Sequence, residues 1–372
     1  MADPRYEKLA NLLVNHSCRL KQGEKVLIEA TTIPTAMLAR LIEQVVAVGA
    51  TPMVDLKEPQ LNRKLLKIED PAVLEATMRL IGEVEVYRMK KMDAYIGLRG
   101  ADNITELSDV SKAQMSQFEQ HWFKPVHIEE RVKNTRWVVL RWPTPSMAQQ
   151  AGMATEAFED FYFDVCLADY ASMARAVMPL EELMNRTDKV HITGPGTDLR
   201  FSIRDIAAVA CTGTHNIPDG ECFTAPVRDS VEGTISYNAA TIYRGKPFDN
   251  IRLTFEKGRV VDFASSDDES LQAILDTDEG ARYIGEFAIA FNPHIHRPMR
   301  DILFDEKIRG SLHLALGEAY EETENGNRSA VHWDMVLMQE QGGEIFFDDK
   351  LIRKDGQFVL PELAGLNPDQ LG

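Results

Sequence analysis

Two domains of different strand chemistry are predicted by three observations. The chain has 372 residues, more than one ordinary hydrophobic core supports. Its first half alternates between helical and strand periodicity, and its second half is a run of short strands separated by turns. The fold class expected is an α/β N-terminal domain with a mainly parallel sheet over residues 1–187, followed by an α+β C-terminal domain with mostly antiparallel strands over 188–372.

The elements follow in order. From Glu7 to Leu20, Leu9, Leu12 and Leu13 recur at helical spacing. Lys25 to Ala30 contains Val26-Leu27-Ile28 and reads as a buried strand. Pro34 opens a helix, because its fixed φ suits a first turn; Met37, Leu38, Leu41, Ile42 and Val45 continue it and Gly49 stops it. Pro52 to Leu56 is strand again, and Ala94 to Leu98 and Arg136 to Leu140 are two more among helical stretches. Such alternation implies a parallel sheet covered on both faces. After the helical stretch Met153 to Met184, the pattern changes near Thr187. Val190 to Ile192, Leu199 to Ile203, Gly233 to Tyr237, Ile251 to Phe255 and Arg259 to Phe263 are short strands, and Gly194-Pro195-Gly196 and Glu256-Lys257-Gly258 are turn signals.

Composition narrows the function classes. The net charge of −17 repels phosphate backbones, so no nucleic-acid partner is expected. The apolar runs are too short to span a bilayer, and Met1 to Lys8 lacks the apolar core of a signal peptide; a cytoplasmic protein without a membrane partner is expected. Cys18, Cys166, Cys211 and Cys222 are scattered and read as reduced core thiols. Gly194 to Asp198 lacks the later glycine and the helix of a dinucleotide loop, and there is no Walker lysine motif. Arg99-Gly100-Ala101-Asp102 follows a strand and reads as a polar connection.

The residues that carry chemistry lie in the second half. Ala330 to Val336 reads as a strand, and a period of two turns His332 and Asp334 to one face and Val331, Trp333 and Met335 to the other. An imidazole and a carboxylate on one face can serve one cation, or form a polar pair on an amphipathic strand. His313 sits inside the apolar stretch Ser311 to Gly317, with Tyr320 just beyond. Glu221 and Glu286 each follow a glycine and precede an apolar run. A carboxylate buried there without a partner is costly, so each either turns outward or holds a metal or an arginine. Two glutamates, two histidines, an aspartate and a tyrosine are enough for two cations, which suit amide hydrolysis by activating a water and polarising a carbonyl.

Asn216-Ile217-Pro218-Asp219-Gly220-Glu221-Cys222-Phe223-Thr224-Ala225-Pro226 with Asp229-Ser230-Val231-Glu232-Gly233 closely resembles the signature of the aminopeptidase T family of metallopeptidases. Gly285-Glu286-Phe287-Ala288, His313 to Gly317, His332-Trp333-Asp334 and Trp142-Pro143-Thr144-Pro145 follow in the family's order. The resemblance covers nearly the whole chain. It implies a metallo-aminopeptidase that releases N-terminal amino acids from peptides with a free N-terminus, and a homodimer. It implies that residues 188–372 form the catalytic, metal-binding domain. Its metal ligands would be Glu221, Glu286, His313, Tyr320, His332 and Asp334, holding two divalent cations (zinc, cobalt, manganese or magnesium), with Glu221, Glu286 and Tyr320 also catalytic. Arg228 and Asp219 either orient ligands or form a surface ion pair. Two departures stand out. Cys222 replaces an aliphatic residue and allows a softer, redox-sensitive site; Asn292 to Pro298 carries His294 and His296, read as an exposed loop. Two alternatives remain open: a ring-cleaving dioxygenase with one iron on His313, His332 and Asp334, and a non-catalytic protein with an ordinary polar core.

Overall fold

The computed structural model describes residues 3–371. The chain packs into two compact units, Met1–Leu167 with Gly213–Ile217, and Ala168–Thr212 with Pro218–Gly372.

The first unit is built on five parallel strands in the order Thr51–Lys57, Lys25–Thr31, Ala94–Arg99, Arg136–Arg141 and Asn216–Ile217. Val26, Leu27 and Ile28 are fully buried, as an inner strand covered on both faces requires. The helix Thr35–Ala47 starts directly after Pro34 and buries Met37, Leu38, Leu41 and Val45. Gly49 then turns the chain with φ +78°, a left-handed value that favours glycine. Thr51–Lys57 is an edge strand and leaves Met53 and Leu56 exposed.

Among the described residues, the second unit holds a two-stranded antiparallel sheet, Thr241–Tyr243 with Lys246–Phe248, and two large antiparallel ones. The larger has eight strands, in the order Arg259–Ala264, Arg252–Glu256, Glu232–Ser236, Thr197–Ser202, Lys189–Gly194, Glu344–Phe347, Lys350–Lys354 and Gln357–Phe358. The smaller has five, in the order His332–Met338, Ser311–Gly317, Ile284–Ala290, Glu221–Thr224 and Val209–Cys211. Phe201 of the larger sheet meets Phe287 of the smaller edge-on, with centroids 5.1 Å apart. The strands that the sequence predicts are present to within two residues at each end.

Sequence periodicity puts a division near Thr187, whereas the compact units divide after Leu167. The helices Tyr170–Ala176 and Met178–Arg186 pack with the second unit and bury Tyr170, Leu180 and Met184. Asn185 and Glu181 accept backbone hydrogen bonds from Ala208 (2.9 Å) and Ala210 (3.3 Å), tying the second helix to the Val209–Cys211 strand. No helix among the described residues is long and apolar enough to cross a membrane.

Candidate metal centre

The centre grows from one face of the five-stranded sheet. Residues paired across antiparallel strands share a face, as do residues two apart along a strand. The register pairs Gly317 with His332, Ala315 with Asp334 and Glu286, Ala288 with His313, Ala290 with Glu221, and Glu221 with Cys211. Cys211, Glu221, Glu286, His313, His332 and Asp334 therefore all lie on one face. Ala288, Ala290, Ala315 and Gly317 stand among them, small residues that leave room for a ligand, with Phe223 and Val336 on the same face. The other face carries Phe287, Leu312, Leu314, Leu316, Trp333 and Met335, all buried, and this packing fixes the register.

Both Gly-Glu pairs of the sequence have a steric reason. Gly220 has φ +132°, and a Cβ there would lie 3.1–3.2 Å from Asn292. Gly285 sits at a register shift between Ile284 and Glu286, where a Cβ would come within 2.4 Å of the carbonyl oxygens of Gly317 and Glu318. Each glycine lets the backbone approach a neighbour and aims the following glutamate onto the ligand face.

The imidazoles are oriented from behind. His313 Nδ1 donates to the Glu306 carbonyl at 3.2 Å, and His332 Nδ1 donates to the Glu318 carbonyl at 2.9 Å. Each Nε2 therefore faces the centre, and it offers a lone pair there when the imidazole is neutral. His313 Nε2 lies 3.3 Å from Glu286 Oε1 and 3.9 Å from Asp334 Oδ1. His332 Nε2 lies 3.4 Å from both Glu286 Oε2 and Asp334 Oδ1. Glu286 thus offers one oxygen to each imidazole.

Three acceptor atoms here are buried without a hydrogen-bond partner: His332 Nε2, Asp334 Oδ1 and Glu221 Oε2. A buried polar atom left so costs about 1–3 kcal/mol. Ligand atoms of Glu286, His332 and Asp334 lie within 4.8 Å of one another, as do those of Glu306, His313 and Asp334. Imidazole nitrogen and carboxylate oxygen suit borderline to hard divalent cations, so the residues present fit the metal ions that the sequence implies.

Charge is lopsided in this centre. Burial opposes a proton on His313, but Glu221 and Glu286 outweigh it and push its pKa up to about 10. Burial drives Glu221 up to about 8 against the pull of Lys307 and His313. The depth is graded too. His332 keeps 26% of its side chain exposed, whereas His313 and Lys307 keep 1% each, so the centre opens on the His332 side. Tyr320 stands at that mouth, half exposed, its ring 4.9 Å from that of His332 and 5.7 Å from that of Phe223.

The six residues singled out in the sequence lie around this one centre, together with three that the ligand motifs did not include, Cys211, Glu306 and Lys307, and with Asp219, which is buried rather than part of a surface ion pair. Glu306 and Lys307 enter from the turn after the short helix Ile302–Asp305. Lys307 is buried; its Nζ pairs with Glu221 Oε1, lies 2.8 Å from Glu306 Oε1 and lies 3.7 Å from Asp219 Oδ1. Cys211 is the thiol on the ligand face. Cys222, expected to soften the site, points to the opposite face, because it is one residue from Glu221 in a strand; burial raises its pKa far above the usual thiol range. Arg228, expected to orient ligands or to form a surface ion pair, makes the ion pair. It bonds Asn327 (3.0 Å) and Glu279 (3.2 Å) and lies 3.8 Å over the Tyr283 ring. His294 is half-buried and His296 exposed.

Residues 2–358 match the model of the thermophilic metalloprotease (M29) family. Aminopeptidase T of Thermus thermophilus is 27% identical, over 90% of this chain and 92% of its own. Aminopeptidase PepS of Streptococcus thermophilus is 24% identical, again over 90% and 92%. The solved structure of wild-type AmpT from Thermus thermophilus superposes with a TM-score of 0.80 at 23% identity, covering 96% of this chain and 99% of that one. A 2,5-dihydroxypyridine dioxygenase from Pseudomonas putida KT2440 superposes with a TM-score of 0.61 at 14% identity, over 97% and 98%. Both structural likenesses are likenesses of fold.

Proposed function

The chain belongs to the thermophilic metalloprotease (M29) family, and from that premise we propose an aminopeptidase that removes the first residue of peptides at the centre described above. The observation that carries this reading is the set of orphaned acceptors, His332 Nε2, Asp334 Oδ1 and Glu221 Oε2, beside two imidazoles locked with Nε2 inward. Glu221, Glu286, His313, Tyr320, His332 and Asp334 would hold two divalent cations, of zinc, cobalt, manganese or magnesium. Charge supports the count of two. With both imidazoles as neutral ligands and every carboxylate ionised, as in the metal-loaded state, Asp219, Glu221, Glu286, Glu306 and Asp334 bring five formal negative charges against one positive on Lys307, and the remaining four match two divalent ions.

Bound cations supply a water of lowered pKa and polarise the scissile carbonyl. The chain's own residues do the rest. Glu286 and Asp334 each face both imidazoles and are the carboxylates best placed to be shared. As an alternative to ligating a metal, Tyr320 at the open mouth can donate a hydrogen bond from its hydroxyl to the developing oxyanion. The closed end at His313 and Lys307 leaves a peptide only the His332 side to extend into, which favours release of a terminal residue. The surplus of carboxylates attracts a free amino terminus.

A homodimer is part of the same reading. Val73, Leu80, Val84 and Tyr87 form an exposed apolar stripe on the helix Pro71–Met89, and Met53 and Leu56 are exposed on the edge strand; both suit a second copy.

The test is chelation followed by metal return. Hydrolysis of leucyl-4-nitroanilide should vanish on chelation and come back with cobalt or zinc, with two ions per chain by metal analysis. No hydrolysis of any amino-acyl substrate after loading would overturn the reading. The dioxygenase fold likeness keeps a second reading in view, one iron on His313, His332 and Asp334. Glu286 set between the two imidazoles weighs against it, and one iron per chain would reverse the order.

A further inference from the structure

We propose that Lys307 is a tethered cation. Its ammonium fills a third cation position beside the metal centre and pins Glu221 by one oxygen, leaving the other oxygen without a hydrogen-bond partner. The inference rests on the metal reading above.

Ligand atoms of Cys211, Asp219 and Glu221 lie within 4.8 Å of one another, the spacing of groups around one ion. Lys307 Nζ pairs there with Glu221 Oε1, and it also meets Glu306 Oε1 at 2.8 Å and Asp219 Oδ1 at 3.7 Å. Glu221 is thus split. Oε1 belongs to the ammonium, while Oε2 is buried without a hydrogen-bond partner, 3.7 Å from His313 Nδ1.

The lysine is mounted rigidly. Its backbone N–H donates to the Phe304 carbonyl at 3.0 Å, and its carbonyl accepts from Asn292 N at 3.3 Å. The Asn292 side chain donates to the Asp219 carbonyl at 2.7 Å. Asn292 therefore holds ammonium and carboxylate in one frame, and the ammonium does not depend on a flexible surface tether. A buried ammonium persists only where carboxylates surround it, and the same carboxylates would otherwise attract a metal ion. A side-chain charge that cannot dissociate reserves two positions for exchangeable metal and denies the third.

The position can be opened and closed by substitution. Lys307→Ala, loaded with cobalt, should take up three ions where the wild-type protein takes two. The added ion should give a near-ultraviolet thiolate-to-cobalt charge-transfer band, absent from wild type and from Lys307→Ala with Cys211→Ser. Two ions and no sulfur band in a folded Lys307→Ala would overturn the third position. Pinning is read in metal-free protein. Lys307→Met should melt several degrees below wild type, and adding Glu221→Gln should restore much of the loss, because the pair is again charge-balanced. If Lys307→Ala does not fold, this pair decides: a double variant no more stable than Lys307→Met overturns the proposal. A wild-type protein that binds no metal sinks the metal reading, and the metal-free melting comparison then still decides the role of Lys307.

Discussion

Among the described residues, two acidic clusters of similar ligand spacing occur, one in each unit, and they differ in what surrounds them. In the first unit Glu29, Asp55 and Glu85 come within 4.8 Å of one another. Three bases answer three acids. Glu29 accepts from Arg131 at 2.7 Å and from the Tyr95 hydroxyl at 2.8 Å. Asp55 meets Lys57 at 2.8 Å and Arg88 at 2.6 Å, while Glu85 meets Lys57 at 3.0 Å and also pairs with Arg88. The unpartnered atoms left there are donors, Nε of Arg88 and Nε and Nη1 of Arg131. In the second unit five carboxylates face one lysine, and the leftover atoms at the centre are acceptors. Proximity alone does not mark a metal site. A shortage of counter-charge and orphaned lone pairs do, and a closed network of ion pairs marks a structural staple instead.

Breaking each cluster in the same way should therefore give opposite results, with the largest effect at the centre. Glu286→Gln should lower kcat/KM at least ~100-fold and reduce metal content, since it removes the negative charge and replaces one of the two oxygens facing the imidazoles with an NH2 donor. Glu85→Gln should leave metal content and activity per folded molecule unchanged. It strips Lys57 and Arg88 of one partner in a mostly buried pairing, so a stability loss of about 3 kcal/mol is expected in urea titration. Loss of metal from the Glu85 variant would dissolve the distinction.

The sequence discloses much of this difference, unevenly. The period of two places His332 and Asp334 on one face, and the glycine before each glutamate marks a carboxylate held among apolar neighbours. The same period turns Cys222 away from the face of Glu221, because adjacent strand residues point apart, whereas Cys211 is placed on that face only by the strand register. Glu306 and Lys307 are another matter. They follow a four-residue helix on a polar turn, a context that normally faces solvent, and only the tertiary packing around Asn292 and Phe304 buries them. The helices Tyr170–Ala176 and Met178–Arg186 have ordinary amphipathic patterns, which do not say which unit they cover.

The histidines sharpen the same contrast through pH. His313 is pushed up to about 10, whereas His127 in the first unit is pushed down to about 4, by burial first and then by the charges of Arg99 and Arg131. With an unfolded value near 6.5, the folded state binds the His127 proton more weakly. Its contribution to stability is full above pH ~6.5 and is lost as pH falls toward 4. The full shift would be worth roughly 3 kcal/mol; about 2 kcal/mol is expected for a half-buried ring. His127→Phe should flatten stability between pH 6.5 and 4 in denaturant titrations. A steep acid loss that persists in this variant would assign the effect to other groups.

The smallest effect is expected at Arg228, which lies near the Glu221 motif in sequence yet serves the fold. Its guanidinium joins Asn327 to the Tyr283 ring, and its ion pair with Glu279 involves a carboxylate that is 79% exposed and worth little. Asn327 itself donates to the carbonyls of Gly280 (2.9 Å) and Gly317 (2.6 Å), so the arginine steadies the loop before the His332 strand without touching a ligand. Arg228→Ala should cost about 1 kcal/mol in thermal unfolding, from the lost cation–π contact and one hydrogen bond. Metal content and kcat/KM should stay at the wild-type level. A drop in metal affinity at unchanged stability would show that Arg228 orients the ligands after all, and it would mean that the centre's charge shortage reaches beyond the groups in contact with it.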